Sequence, residues 1–195
     1  MKTPFIWLLL FLLSCRPVSQ DSTASESADR ATVPETNTEP ESLLKTIRFQ
    51  ILIDAAPEIV YNTLTDPAHF KTWTATFQPT SHFKGDWQQG STIHFLSFDE
   101  AGNTMGLISK VKENVPDQRI TLQHFGLIQE GKEITDGEEV EAIKGAIEQY
   151  IIVSKDGQTE LEVKTDIFIE LQDYFEETWP KALQVLKQLC ENQPT

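Results

Sequence analysis

Histidines are the first residues to consider for chemistry, because imidazole can act as an acid, a base or a metal ligand near neutral pH. The 195-residue chain has four of them: His69, His82, His94 and His124. No two have the spacing of a helical zinc site, and no cysteine pair accompanies them. We therefore predict no metal site and no cofactor. His94 and His124 fall in predicted strands, where each either orients a ligand inside the domain or forms a structural hydrogen bond.

Motifs of nucleophilic catalysis are absent from the sequence, which has neither a Gly-x-Ser-x-Gly elbow nor a Gly-rich phosphate loop. We predict no catalytic residue, and a role without catalysis is favoured over an enzyme. Glu148 and Tyr150 share one face of a predicted strand and would both reach a ligand if that face were internal. The opposite face carries Ile147, Ile151 and Val153, so the pattern favours that face as the core.

Large aromatic side chains are the best candidates for lining an apolar pocket, because they dominate such sites. The candidates are Trp73, Trp87, Phe95, Phe175 and Trp179. Plain core packing is the favoured explanation for any one of them, and the pocket interpretation rests on the group. Together with His94, His124 and Tyr150 they form our set of candidate ligand-binding residues.

The N-terminus has the pattern of a secretory leader, with Lys2, an apolar run over 5–13 and a small residue before Cys15. The run is too short for a transmembrane helix, which needs about 20 apolar residues. Its ending, Leu-Leu-Ser-Cys over 12–15, resembles the bacterial lipoprotein box. The resemblance implies a signal peptide over 1–14 that is cut before Cys15, and a diacylglycerol thioether plus an acyl group such as palmitate on that residue. The alternative is an ordinary secretory signal with a chance cysteine.

The segment 15–42 is predicted to be a disordered tether, because residues 16–42 contain no Leu, Ile, Phe, Tyr or Trp. If Cys15 is lipidated, this tether joins the membrane of a bacterial cell envelope to a domain outside the cytoplasm. Arg16 is not the Asp that retains some lipoproteins in the inner membrane, which favours the outer membrane.

Acidic residues outnumber basic ones throughout, with 30 Asp and Glu against 16 Lys and Arg and a net charge of −14. Such a chain repels phosphate backbones, so we expect no nucleic-acid partner. The segment 128–144 concentrates six acidic residues and is predicted to be a mobile loop or lid, which could also contact a basic protein partner.

A single folded domain is predicted over 43–193. A strand over 44–54 buries Ile47, Phe49, Ile51 and Ile53, and two short helices begin at Pro57 and Pro67. Further strands are expected over 78–84, 91–98, 104–114, 118–127, 145–154 and 159–169. A long helix over about 173–191 closes the chain, although Pro180 should kink or restart it. The order predicts an α+β fold in which a curved antiparallel sheet of about seven strands wraps the C-terminal helix.

Four segments in this order resemble START-like (SRPBCC) domains, and more narrowly the family named after the activator of the heat-shock-90 ATPase. They are IDAAPEIVYNTLTDPAHFKTW over 53–73, GDWQQGSTIHF over 85–95, VKENVPDQRITLQH over 111–124 and YFEETWPKALQVLKQL over 174–189. The resemblance implies a helix-grip fold with an apolar cavity under the C-terminal helix.

Three functions are compatible with that resemblance. The leading hypothesis is a membrane-tethered domain that binds a small apolar or amphipathic ligand without catalysis. The alternatives are a cavity enzyme of the cyclase or hydrolase type, which needs a polar cluster inside, and a protein-interaction module similar to a co-chaperone.

Overall fold

The structure, a computed structural model, describes residues 43–193, which form eight antiparallel strands, three short helices and a long C-terminal helix. The leader, Cys15 and the predicted tether lie outside the described residues. The strands are β1 Leu44–Ile53, β2 His82–Gly85, β3 Thr92–Phe98, β4 Thr104–Val115, β5 Arg119–Gln129, β6 Lys132–Ile134, β7 Ile147–Lys155 and β8 Gln158–Phe168. The helices are α1 Pro57–Thr65, α2 Pro67–Thr74, α3 Glu138–Glu141 and α4 Gln172–Glu191, with a 3₁₀ turn at Ile169–Leu171.

The strands form one open sheet in the order β1-β8-β7-β5-β4-β3-β2, and β6 pairs with β5 beside that path. Helix α4 packs against β1, α1 and α2 on one face of the sheet, which we call the inner face. The predicted α+β helix-grip arrangement is thereby confirmed.

Local sequence signals place the first helices. Pro57 occupies the first turn of α1, where its missing N–H costs nothing. Asp66 caps α2, because its carboxylate accepts from the backbone N–H groups of Ala68 and His69, each at 2.9 Å. Helix α4 runs over 20 residues through Pro180, so the restart that the proline suggested is wrong. Packing of the apolar stripe Trp179, Leu183, Leu186 and Cys190, all buried, outweighs the lost backbone bond.

The acidic segment over 128–144 contains regular structure, where the sequence suggested a loop. It holds β6 and the short helix α3. Val140 and Ile143 are buried, and the Gln129 side-chain amide donates to Glu139 at 2.7 Å. The buried side chains attach this segment to the domain, while its carboxylates remain at the surface.

Among residues 43–193, no helix combines the length and apolar character needed to cross a membrane.

Candidate functional site

Aromatic rings fill the space between the inner face and α4. The rings contact one another in a continuous series that we call the aromatic cluster: Phe49, Phe70, Trp73, Phe77, Phe83, Trp87, Phe95, Tyr150, Phe175 and Trp179. Six predicted ligand-binding residues belong to it. The structure thus brings together, from five different elements or turns, Trp73, Trp87, Phe95, Tyr150, Phe175 and Trp179.

Three large rings form the centre of this cluster. Trp73 comes from α2, Tyr150 from β7 and Trp179 from α4, and their centroids are 6.2 to 6.5 Å apart. Trp73 and Trp179 are only 2 % and 3 % exposed. Their indole Nε1 atoms are buried without a hydrogen-bond partner among residues 43–193. Buried polar groups nearly always have a partner, so two unsatisfied donors on neighbouring rings are an unusual feature, and Trp87 Nε1 is a third such donor elsewhere in the cluster.

A second polar feature lies on β7, beside the same rings. The Tyr150 hydroxyl donates a 2.5 Å hydrogen bond to Glu148 Oε1. Burial raises the pKa of Glu148 above its ordinary value, although the bond from Tyr150 opposes this shift. The pKa of Tyr150 is also raised, first by burial and then by the adjacent carboxylate.

This placement overturns the favoured interpretation of β7. Tyr150 and Ile152 are buried on the inner face, whereas Val153 on the other face is 48 % exposed. The reason is the position of β7 between two strands with apolar inner faces, because Tyr150 lies opposite both Ile120 and Val163. The inner face of β7 therefore carries Glu148 into the interior with its partner Tyr150.

His124 lies on the inner face of β5, opposite Ser109 of β4. The Ser109 hydroxyl and His124 Nδ1 share a hydrogen bond of 2.7 Å, and both residues are buried. Burial lowers the pKa of His124 to about 4, although the charge of Asp166 acts in the opposite direction. His124 is therefore a neutral imidazole at neutral pH.

His94 differs from His124 because it faces away from α4. Its neighbours Ile93 and Phe95 contact the core, so strand alternation directs His94 to the outer face. There its Nε2 atom lies 3.1 Å from Glu133 Oε1, and that carboxylate is largely exposed. The structure does not bring His94 to the aromatic cluster.

The cluster extends in two directions from its centre. Phe70 connects the centre to Phe83, Trp87 and Phe95, beneath strands β2 and β3. Towards the start of α4 it ends at the partly exposed rings of Phe77 and Phe175. The Tyr174 hydroxyl donates to the Phe77 carbonyl at 3.0 Å and ties α4 to the turn after α2. We call Phe77, Tyr174 and Phe175 the rim.

Ser109, Phe77 and Tyr174 are residues of this region that the sequence reasoning missed. Ser109 carries no motif, and only its register with His124 reveals it. Phe77 lies in the turn after α2, beyond the helical pattern, and Tyr174 lies at the start of α4; no sequence motif marks either residue.

A separate surface cleft of about 680 Å³ lies between the start of α1, the β4–β5 turn and β7. Glu58, Asp117 and Arg119 give it mixed charge, and none of the candidate residues lines it. Within residues 43–193, no group of three or more His, Cys, Asp or Glu side chains could hold a metal ion.

Comparison with known proteins identifies the family of the chain. The profile of Activator of Hsp90 ATPase homolog 1-like protein matches residues 54–191. No curated protein matches the chain.

Several solved structures have the same fold. The solution structure of the Aha1 dimer from Colwellia psychrerythraea is 24 % identical, covers 76 % of this chain and 97 % of that one, and has a TM-score of 0.55. A protein from Chromobacterium violaceum is 20 % identical over 76 % and 98 % of the two chains, with a TM-score of 0.55. An AHSA1-like protein from Aeromonas hydrophila is 14 % identical over 77 % and 99 %, with a TM-score of 0.56. The chain therefore belongs to the family of Activator of Hsp90 ATPase homolog 1-like proteins, a START-like (SRPBCC) family.

Proposed function

We propose that this domain binds a small amphipathic molecule among the rings under α4 and does so without catalysis. One observation carries the proposal: Trp73 and Trp179 have neighbouring rings, and each buries its indole N–H group without a partner among the described residues. An unsatisfied buried donor costs about 1–3 kcal/mol. A ligand that accepts from these groups recovers that free energy and gains apolar contact with the cluster.

The rim gives such a ligand a route to the centre. Phe77 and Phe175 are partly buried and stand between solvent and Trp179. One hydrogen bond, from Tyr174 to the Phe77 carbonyl, ties the two sides of the rim together. A hydrogen bond of this kind contributes about 1 kcal/mol net, so breaking it raises the free energy of the open rim only slightly. Rotation of the rim side chains then makes room for the ligand.

The test is a binding screen with the full chain. Native mass spectrometry of protein released from membranes would identify a co-purified molecule, and titration with lipids and apolar dyes would measure affinity. Trp179→Phe should weaken binding, and the matched control Lys181→Ala, two residues later on the exposed side of α4, should not. If neither the native protein nor the screen yields a ligand, the proposal is refuted.

We also propose that the domain is tethered to a membrane of the cell envelope through a lipid on Cys15, with the outer membrane favoured. The leader pattern over 1–15 and the apolar-poor segment after it support this arrangement. Cys15→Ala should release the protein from the membrane fraction, with Cys190→Ala as the matched control. Unchanged membrane retention of Cys15→Ala would contradict the anchor.

A cavity enzyme of the cyclase or hydrolase type is the second candidate. The contact that favours it is the buried pair of Ser109 Oγ and His124 Nδ1 at 2.7 Å, which has the spacing of a nucleophile and its base. Ser109 is 0 % exposed, so a substrate would reach it only after the sheet and helix separate. Labelling of Ser109 by a fluorophosphonate probe would favour the enzyme, and the binding proposal predicts no labelling.

A further inference from the structure

The chemistry of the two indoles restricts the ligand more than the apolar cluster does. An indole N–H can donate a hydrogen bond but cannot accept one. Trp73 and Trp179 come from different helices, and their rings lie 6.2 Å apart. Neither donor has a partner within residues 43–193. A molecule that satisfies them must therefore bring its own acceptor atom.

The same surroundings disfavour an anionic acceptor. No Lys or Arg is buried among the described residues, so a buried anion would have no counter-charge. The carboxyl group of Glu148 lies beside Tyr150, whose ring contacts both tryptophans. A carboxylate or phosphate head would lose its hydration and meet an acidic neighbour, which is costly in a low-dielectric interior.

The rings that surround the two indoles favour a flat ring system as their ligand. Trp179 stacks on Phe49 with an interplanar angle of 24° and a centroid distance of 5.9 Å. Trp73 and Phe77 present their rings to Trp179 at steeper angles. Offset and edge-to-face contacts of this kind favour an aromatic ligand over a flexible acyl chain, which also loses more conformational freedom on binding.

We infer that the ligand of this site is a neutral aromatic molecule with a carbonyl-type oxygen, and that this oxygen accepts from the indole N–H groups of Trp73 and Trp179. The inference rests on the proposed binding function and adds the chemical class of the ligand.

Three probe compounds of one shape test it: 2-acetylnaphthalene, 2-isopropenylnaphthalene and 2-naphthoate. All three carry the naphthalene ring. The ketone 2-acetylnaphthalene has a neutral acceptor, the hydrocarbon 2-isopropenylnaphthalene has no strong acceptor, and 2-naphthoate has a negative charge. Calorimetric titration of the full chain at pH 7 gives the association constant of each compound. Dividing each constant by the hexadecane–water partition coefficient of that compound removes the difference in hydrophobicity between the ketone and the hydrocarbon. The corrected affinity of the ketone should exceed that of the hydrocarbon at least about tenfold, as expected for hydrogen bonds to otherwise unsatisfied donors. The naphthoate should bind at least about tenfold more weakly than the ketone.

Nuclear magnetic resonance of ¹⁵N-tryptophan-labelled protein supplies a direct readout. The ketone should shift the Nε1–H resonances of Trp73 and Trp179 downfield, and the hydrocarbon should not. Trp179→Phe should lower the affinity for the ketone about tenfold and change that for the hydrocarbon less than about threefold. Lys181→Ala is the matched control, because Lys181 lies on α4 two residues after Trp179 but its side chain is 61 % exposed and outside the aromatic cluster. Circular dichroism verifies that each variant is folded, and the comparison on the wild type does not depend on the variants.

The outcomes separate this inference from the binding proposal. Equal corrected affinities of ketone and hydrocarbon would overturn the role of the indoles and leave the binding function standing. Naphthoate binding as tightly as the ketone would overturn the requirement for neutrality. Binding of lipids or dyes in the screen above, with no binding of any naphthalene, would overturn the ligand class alone. Failure of every compound in both experiments would overturn the binding function as well.

Discussion

His124 should make the stability of the domain fall steeply in mild acid. The imidazole is 6 % exposed and bonded to Ser109, and burial lowers its pKa to about 4 from an ordinary value near 6.5. Between these values the unfolded chain binds a proton that the folded chain does not. Acid therefore favours the unfolded state, and the loss begins as the pH falls through about 6.5.

The two pKa values fix the size of the effect. Proton linkage predicts that His124 alone lowers the free energy of unfolding by about 2 kcal/mol at pH 5 and about 3 kcal/mol at pH 4, relative to pH 7. This is a large part of the stability of a domain of this size, which is typically about 5–15 kcal/mol.

The assay is urea unfolding of the wild type and of His124→Gln at pH 7, 6, 5 and 4. Glutamine keeps a side-chain partner for Ser109 and does not titrate, and the carboxylates common to both proteins cancel in the difference. The wild type should lose about 3 kcal/mol more than the variant between pH 7 and pH 4. His82→Gln, at a partly exposed ring, is the control for the loss of a histidine as such. A difference between wild type and His124→Gln that stays constant within about 0.5 kcal/mol over this range would refute the reasoning.

Four further predictions concern single sites. Glu148→Gln should raise the free energy of unfolding more at pH 8 than at pH 5, because burial raises the pKa of Glu148 and ionisation of this carboxyl group destabilises the folded wild type as the pH rises. Urea unfolding at both pH values measures this, and an equal effect at the two pH values would contradict it. Gly106→Ala should prevent folding or greatly destabilise the domain, because its Cβ would lie 2.0 Å from the Phe95 carbonyl oxygen; a native thermal transition would contradict the tight β3–β4 contact. Asp66→Ala should cost about 1 kcal/mol by removing the cap of α2, measured by urea unfolding, with an unchanged midpoint as the contrary result. Cys190 should react with a thiol reagent only on unfolding, because burial raises its pKa to about 11; rapid labelling of native protein would argue against this.

The sequence predicted most elements because their signals are local. Alternation over β1 correctly assigned Ile47, Phe49, Ile51 and Ile53 to the inner face, and all four lie within the core or contact it. Proline and aspartate correctly placed the starts of α1 and α2. Each of these signals acts between residues a few positions apart, so no knowledge of the rest of the chain was needed.

The register between β4 and β5 was the first feature that the sequence did not predict. Counting outward from the turn that pairs Val115 with Arg119 would place Lys110 opposite His124. A register shift between Val111 and Glu113 moves the pairing to Ser109 instead. This bulge changes the partners of residues 109–111, and a second shift between Ile108 and Ser109 restores the original count; no sequence signal marked either one.

The sequence by itself determined that this chain forms one antiparallel sheet with a closing amphipathic helix, because periodicity and turn residues act locally. Only the tertiary structure decided which face of β7 is internal and that Glu148 meets Tyr150 there. It also decided that Trp73 and Trp179 bury indole N–H groups for which residues 43–193 offer no partner. Those outcomes depend on contacts between residues far apart in the chain. Trp73 and Trp179, which lie on separate helices, become neighbours only when α4 packs across the sheet.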